Sequence, residues 1–135
     1  VLVTRRALQL IDRDLTRLIA DLLRLARAHA HSPVLARTLM QPAQVVTLGY
    51  KLVGWVAPLL RRQRQLRDAA RRALKLQLGG AVGTLSAMGP KGPAVARRMA
   101  EALRLQWSPL AWHTQRDEWV ALGSEVGVLC GSLGK

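Results

Sequence analysis

Phenylalanine is missing from this sequence, and one tyrosine, four tryptophans and one cysteine are all it has of those types in 135 residues. So few aromatics, with leucine and alanine abundant, disfavour a strand-rich core and favour helix. The lone cysteine, Cys130, excludes a disulfide framework and suits a reducing, cytoplasmic setting. It lies in an apolar helical pattern, where a small core residue is expected. Three histidines and this cysteine show no ligand spacing, so no metal site is expected. Acidic residues are scarce: 8 against 21 Lys and Arg, a formal charge of +13. That charge permits binding to nucleic acid or an anionic membrane. The arginines, however, are spread along helical patterns, often beside aspartates, and form no dense patch. Neither nucleic acid nor membrane is therefore expected as a partner. No Gly-Lys-Ser/Thr loop, dinucleotide fingerprint or nucleophile elbow occurs, which argues against a P-loop enzyme, a Rossmann domain and an elbow-type serine hydrolase. The N-terminus has no basic head followed by an apolar block, so no signal peptide is read there. The chain opens at Val1 inside a helical pattern and ends at Lys135 without a cap. The expectation is a piece of a larger protein.

What is present is a set of heptads. Leu8, Leu15 and Leu22 are seven apart, as are Ile11, Leu18 and Leu25. This a/d stripe predicts one long helix over 1 to about 31, facing a bundle. Arg17, Asp21 and Arg24 supply i,i+4 and i,i+3 pairs on its outer face. His29 and His31 fall at its end, where the helix dipole favours them. A second stripe, Val45, Leu52, Leu59, Leu66 and Ala73 with Gly49, Val56, Gln63 and Ala70, predicts a helix from Pro42 to about Leu76. Pro58 should bend it. The apolar part, Ala43 to Leu60, also reads as a membrane span with basic flanks, but Gln44, Thr47 and Lys51 interrupt it. A helix buried in a bundle explains the same residues.

Between these helices lies Ser32-Pro33-Val34-Leu35-Ala36-Arg37-Thr38-Leu39-Met40-Gln41-Pro42. Two prolines bracket it, and each biases its predecessor away from the helical region. Ser32, Arg37, Thr38 and Gln41 can all donate to an oxyanion, so the joint is a candidate binding site as well as a plain turn. Further on, Gln77 to Pro93 is the sharpest break in composition, with glycines interleaved with apolar residues unlike a solvated linker. A third helix is predicted over 94–105, with Val95, Met99, Ala102 and Leu103 inward. A fourth is predicted over 115–135, opened by Thr114 and Asp117 as a capping box, with Gly123, Gly127 and Gly131 permitting close packing. His113 sits just before that helix beside Trp112, Gln115 and Arg116. A positive helix end and an arginine would hold a carboxylate substrate, and a neutral histidine could pass a proton. A surface histidine that merely helps to cap the helix is the alternative.

Three segments together resemble one family, the fumarase/aspartase superfamily. Residues 32–43, followed by Thr47-Leu48-Gly49, resemble its region reading Thr-Pro-Met-x-Gly-Arg-Thr-His-x-Gln-x-Ala. Gln77-Leu78-Gly79-Gly80-Ala81-Val82-Gly83-Thr84-Leu85 resembles its later Gly-Ala-x-Gly-Thr segment. Trp112-His113-Thr114-Gln115-Arg116-Asp117 is similar to the matching segment of the bacterial lactonising branch, the 3-carboxy-cis,cis-muconate cycloisomerases. Two departures stand out: Ala36 replaces the family glycine, and Leu39 replaces the histidine of fumarases and adenylosuccinate lyases.

The resemblance implies an all-α, long-helix bundle of the fumarase/aspartase central-domain type, incomplete here. Residues 1–135 would form one helical domain fragment without the N- and C-terminal parts of the full enzyme. It implies a cofactor-free homotetramer converting 3-carboxy-cis,cis-muconate to 4-carboxymuconolactone in protocatechuate degradation. Carried over by position, Ser32, Arg37, Thr38, Gln41, Gln115 and Arg116 would bind the carboxylates of this small polycarboxylate substrate. His113 would transfer the proton. The family's Gly-Ser-Ser loop with its catalytic serine would follow Lys135, so the fragment alone should be inactive. Another superfamily lyase such as adenylosuccinate lyase is the rival enzyme, which Leu39 disfavours. A non-catalytic helical oligomerisation scaffold is the rival of a different class.

Overall fold

The computed structural model of the chain describes residues 1–134. Four helices and one hairpin follow in order: α1 (Leu2–Ala28), β1 (Pro33–Thr38), β2 (Gln41–Thr47), α2 (Leu48–Ala73), α3 (Gly92–Leu103) and α4 (Asp117–Leu133). A 3₁₀ segment, Ser86–Lys91, precedes α3. The described residues thus form a helical fold with one small antiparallel sheet. No helix among the described residues is long and apolar enough to cross a membrane. The contacts divide the chain into two compact units. One is Val1–Leu8 with Gln65–Gly127, and the other is Gln9–Arg64 with the segment from Val128 on.

In the second unit, α1 and α2 run antiparallel. Asp12 lies by Gln63 and Ala26 by Gly49, so numbering falls along one helix as it rises along the other. Leu15, Ile19 and Ala26 are buried on α1, and Leu52, Val56 and Leu59 on α2. The α2 heptad is therefore the observed seam. On α1 the second half of the seam is Ile19 and Ala26, while Leu18 and Leu25 stay exposed. An apolar arc this wide has two edges, and the described chain covers one. Among the described residues of this unit Gln63 is the buried polar one, and it is satisfied: its Nε2 donates to Asp12 O at 3.3 Å and to Thr16 Oγ1 at 2.8 Å.

The joint departs most from the expectation. Residues 42–47, assigned above to the second helix, form β2 instead. Val45, Val46 and Thr47 are β-branched, which suits a pleated strand, and they pair with Leu35, Val34 and Pro33. Pro42 stands opposite Arg37, beyond an irregularity in the register between Leu35 and Arg37. In a two-stranded ribbon both strands are edges, so a proline is tolerated. The true start of α2 is capped by Thr47, whose Oγ1 accepts from the Tyr50 amide at 3.1 Å. The first helix stops at Ala28, short of residue 31, because Pro33 follows and the nearby carbonyls find other donors. Gly49 N donates to His29 O, and Leu48 N to Ser32 O, both at 2.9 Å. Orphan amides of one helix thereby satisfy carbonyls beyond the end of the other.

Thr38 and Gln41 pair across a two-residue turn whose central residues, Leu39 and Met40, both have positive φ (47° and 63°). This is the geometry that Asn-Gly fills without strain, and here two bulky side chains adopt it, each 93% exposed.

In the first unit, Leu76, Ala96 and Ala100 form a buried cluster with Leu78, Leu85, Leu103, Leu105 and Trp107 packed on it. The buried face of α3 is Gly92, Ala96 and Ala100, so Val95 and Met99, expected inward, are exposed. Small residues face the cluster because the approach is close. α3 begins at Gly92 and ends at Leu103, two residues before the expected end, with Arg104 in the left-handed region (φ 52°). Leu105 N donates to Ala100 O and Arg104 N to Glu101 O, a Schellman-type close. Arg5 Nη1 adds donors to Leu103 O (2.6 Å) and Arg104 O (3.0 Å), a cation at a helix C-terminus.

α4 starts at Asp117 rather than 115 and ends at Leu133, and Lys135 of the expected span lies outside the described residues. Two further expectations fail on it. Cys130 is exposed, and the stripe Gly123, Gly127 and Gly131 faces open space, with no atom within 4 Å of an added Cβ. The apolar pattern of α4 is broader than the face that the described chain covers, where Leu122 and Leu129 are buried.

Gly49→Ala would place a Cβ 2.6 Å from Ala26 O and 2.9 Å from Ala30 Cα, both backbone atoms. We expect a loss of about 1–3 kcal/mol in urea unfolding. The double change Leu39→Asn with Met40→Gly should raise stability by about 1–2 kcal/mol in the same measurement, since it relieves the left-handed strain.

Candidate active site

Leu76 fixes the place of His113. Its amide donates to Gln106 O at 2.7 Å, and its carbonyl accepts from Trp112 Nε1 at 3.0 Å. Lys75 and Gln106 form an isolated parallel bridge alongside. The Trp112 ring stacks on Trp119 of α4, with centroids 5.7 Å apart and planes at 24°. Trp119 Nε1 is buried without a partner among the described residues. Next to these anchored residues, Gln77 Nε2 lies 2.6 Å from His113 Nδ1. Arg116 Nε donates to His113 O at 3.1 Å, which closes the turn before α4.

The glycine-rich turn forms the other wall. Gln77, residues 79–83, Ala111, His113 and Thr114 line an open cavity of about 330 Å³. Gly80 and Gly83 have φ of 70° and 85°, and Leu85 N donates to Gly79 O at 3.0 Å. A backbone of this shape needs glycine at residues 80 and 83. Gln115 does not share this cavity. It lines a smaller one of about 100 Å³ with Arg72, Lys75, Trp112 and Trp119. The start of α4 is already complemented by Asp117 and Glu118, and Glu118 pairs with Arg72 Nε at 3.1 Å.

The other candidates belong to the hairpin unit. Arg37, Thr38 and Gln41 are exposed on the two strands. Ser32 is half-buried at the exit of α1, and its Oγ lies 3.1 Å from His29 Nδ1. Arg37 lines a cavity of about 540 Å³ with Val34, Leu35, Ala36, Val46, Tyr50 and Lys51. The structure thus groups Arg37, Thr38 and Gln41 on one hairpin, and His113 with Thr114 and Arg116 on one turn.

Three residues that lie beside the candidates were not singled out by the sequence. Tyr50 and Lys51 join Arg37 because α2 begins at Leu48, a start that Thr47 signals as an N-cap. Gln77 was legible only as the edge of the glycine segment. Nothing in its spacing points to a histidine 36 residues on. Among the described residues, no three His, Cys, Asp or Glu are placed to share a metal ion.

The family described as Lyase matches residues 1–135. The chain belongs to this lyase family, the fumarase/aspartase type. The 3-carboxy-cis,cis-muconate cycloisomerase of Pseudomonas aeruginosa is 47% identical over 135 residues, all of this chain and 29% of that protein. Trans-aconitate decarboxylase 1 of Mycosarcoma maydis is 33% identical over 135 residues, again all of this chain and 27% of the relative. The crystal structure of the 3-carboxy-cis,cis-muconate lactonizing enzyme from Pseudomonas putida matches with a TM-score of 0.93 at 44% identity, over 98% of this chain and 30% of its own. The lyase chain therefore spans about 30% of the length of the curated relatives it matches.

The Leu76–Trp112 hydrogen bond holds this lyase turn in place. Trp112→Phe keeps a ring to stack on Trp119 but deletes the indole N–H. The expected cost is about 1 kcal/mol in denaturant unfolding, with Leu76 O left without its donor.

Proposed function

We propose that this chain is the central helical part of a cytoplasmic 3-carboxy-cis,cis-muconate cycloisomerase, which closes its substrate to 4-carboxymuconolactone in protocatechuate degradation. The supporting observation is identity of 47%, 41% and 42% to three such enzymes, each across 135 residues and all of this chain. The complete protein would be a cofactor-free homotetramer acting on a small polycarboxylate, with neither membrane nor nucleic acid as partner.

The chemistry is an intramolecular addition. A substrate carboxylate oxygen forms a C–O bond to one carbon of a double bond, and the electron pair moves to the neighbouring carbon, beside another carboxylate. That carbanion is stabilised as an enolate-like dianion, which demands preorganised donors. A proton delivered to the carbon completes the lactone. In this reading His113 carries the proton, and Ser32, Arg37, Thr38, Gln41, Gln115 and Arg116 hold carboxylates, the hairpin and the His113 turn coming together in the assembled tetramer. Leu39 stands at the hairpin tip, where it offers no proton, and this favours the cycloisomerase over lyases that need a histidine there. The catalytic serine loop would be supplied by sequence outside this chain, and the 135-residue piece alone would be inactive.

The complete protein should consume 3-carboxymuconate in a spectrophotometric assay, and His113→Ala should cut turnover by about a hundredfold or more. Wild-type turnover in that variant would remove His113 from the reaction. No consumption by the intact protein would remove the activity.

A further inference from the structure

We infer that Gln77 is a positioning residue that sets which nitrogen of His113 bears the proton. The inference rests on the proposed role of His113, but the contact itself is a property of this chain. Both side chains are exposed, so their 2.6 Å approach needs an explanation other than burial. The backbone provides one. Gln77 follows Leu76, whose amide is tied to Gln106 O and whose carbonyl is tied to the Trp112 indole. His113 follows Trp112, which is held by that bond and by its stack on Trp119. The two side chains leave from backbone points that are already fastened to each other, so little freedom is lost when they meet.

The atoms in contact decide the tautomer. An amide nitrogen has only protons to offer, so Gln77 Nε2 donates and His113 Nδ1 accepts. A neutral His113 with Nδ1 occupied this way carries its proton on Nε2. No residue among those described takes up Nε2, and the ring lines the glycine-walled cavity. The working nitrogen is therefore Nε2, presented as a proton-bearing donor to an anion in that cavity. Arg116, the charged neighbour on the same turn, is engaged through its Nε with the His113 carbonyl. If the ring takes a second proton, Nδ1 becomes a donor, and the Gln77 amide must turn so that its oxygen accepts. Gln77 serves both forms because an amide presents a donor and an acceptor at one end.

The test uses the complete protein grown with isotope-labelled histidine and read by nitrogen NMR, with His113 assigned by its loss in His113→Asn. The wild type should show His113 protonated on Nε2. Gln77→Glu, which can only accept, should move the proton to Nδ1, and Gln77→Met, which does neither, should give a mixture. In turnover of 3-carboxymuconate, Gln77→Met should lower kcat by about tenfold or more with KM unchanged. Protonation on Nδ1 in the wild type, or one tautomer shared by all three proteins, overturns the inference. Tautomers that switch as described in a protein that does not consume 3-carboxymuconate uphold the role of Gln77 and overturn the cycloisomerase reading instead.

Discussion

Leu76 is a single residue used three ways: its amide donates to Gln106 O, its carbonyl accepts from Trp112, and its side chain is buried with Ala96 and Ala100. Each hydrogen bond contributes about 1 kcal/mol net, and the buried leucine about 2 kcal/mol, so the residue is worth a sizeable part of a marginal fold. The consequence is positional. The chain leaving α2 and the loop entering α4 are joined at Leu76 and Trp112, and the next residue of each, Gln77 and His113, is delivered to the other. The His113 turn inherits its geometry from a packing cluster that includes the small residues Ala96 and Ala100 of α3.

The hairpin works by the opposite economy. Its root is well satisfied, with Thr47 capping α2 and the His29 and Ser32 carbonyls accepting from Gly49 and Leu48. Its tip is strained and exposed, with Leu39 and Met40 both at positive φ. Strain of this kind persists where the surrounding structure over-determines it, and it collects at functional sites.

Much of the helical framework was legible because α2 keeps its heptad, and Leu52, Val56, Leu59, Gln63, Leu66 and Ala73 are buried in that order. The hairpin was not, because the heptad was traced through Val45, and its period hid the β-branched run Val45-Val46-Thr47. The inward face of α3 does not follow residue size: Ala96 and Ala100 are buried at a close approach, and the larger Val95 and Met99 are exposed. On α4 Cys130 is exposed and the glycine stripe faces open space, because the apolar pattern of this helix is broader than the face that the described chain covers. Arg37 and His113 were legible as candidates through their motifs. Gln77, Tyr50 and Lys51 were not, since they come beside those candidates through folding rather than spacing.

The claim that matters most is that the Leu76–Trp112 tie presents His113 to a carboxylate. A crystal structure of the complete protein with 4-carboxymuconolactone bound tests it directly. The expected result is a lactone carboxylate within hydrogen-bond reach of His113 Nε2, with Gln77 still on Nδ1. A lactone bound elsewhere, with His113 facing bulk water, would contradict it.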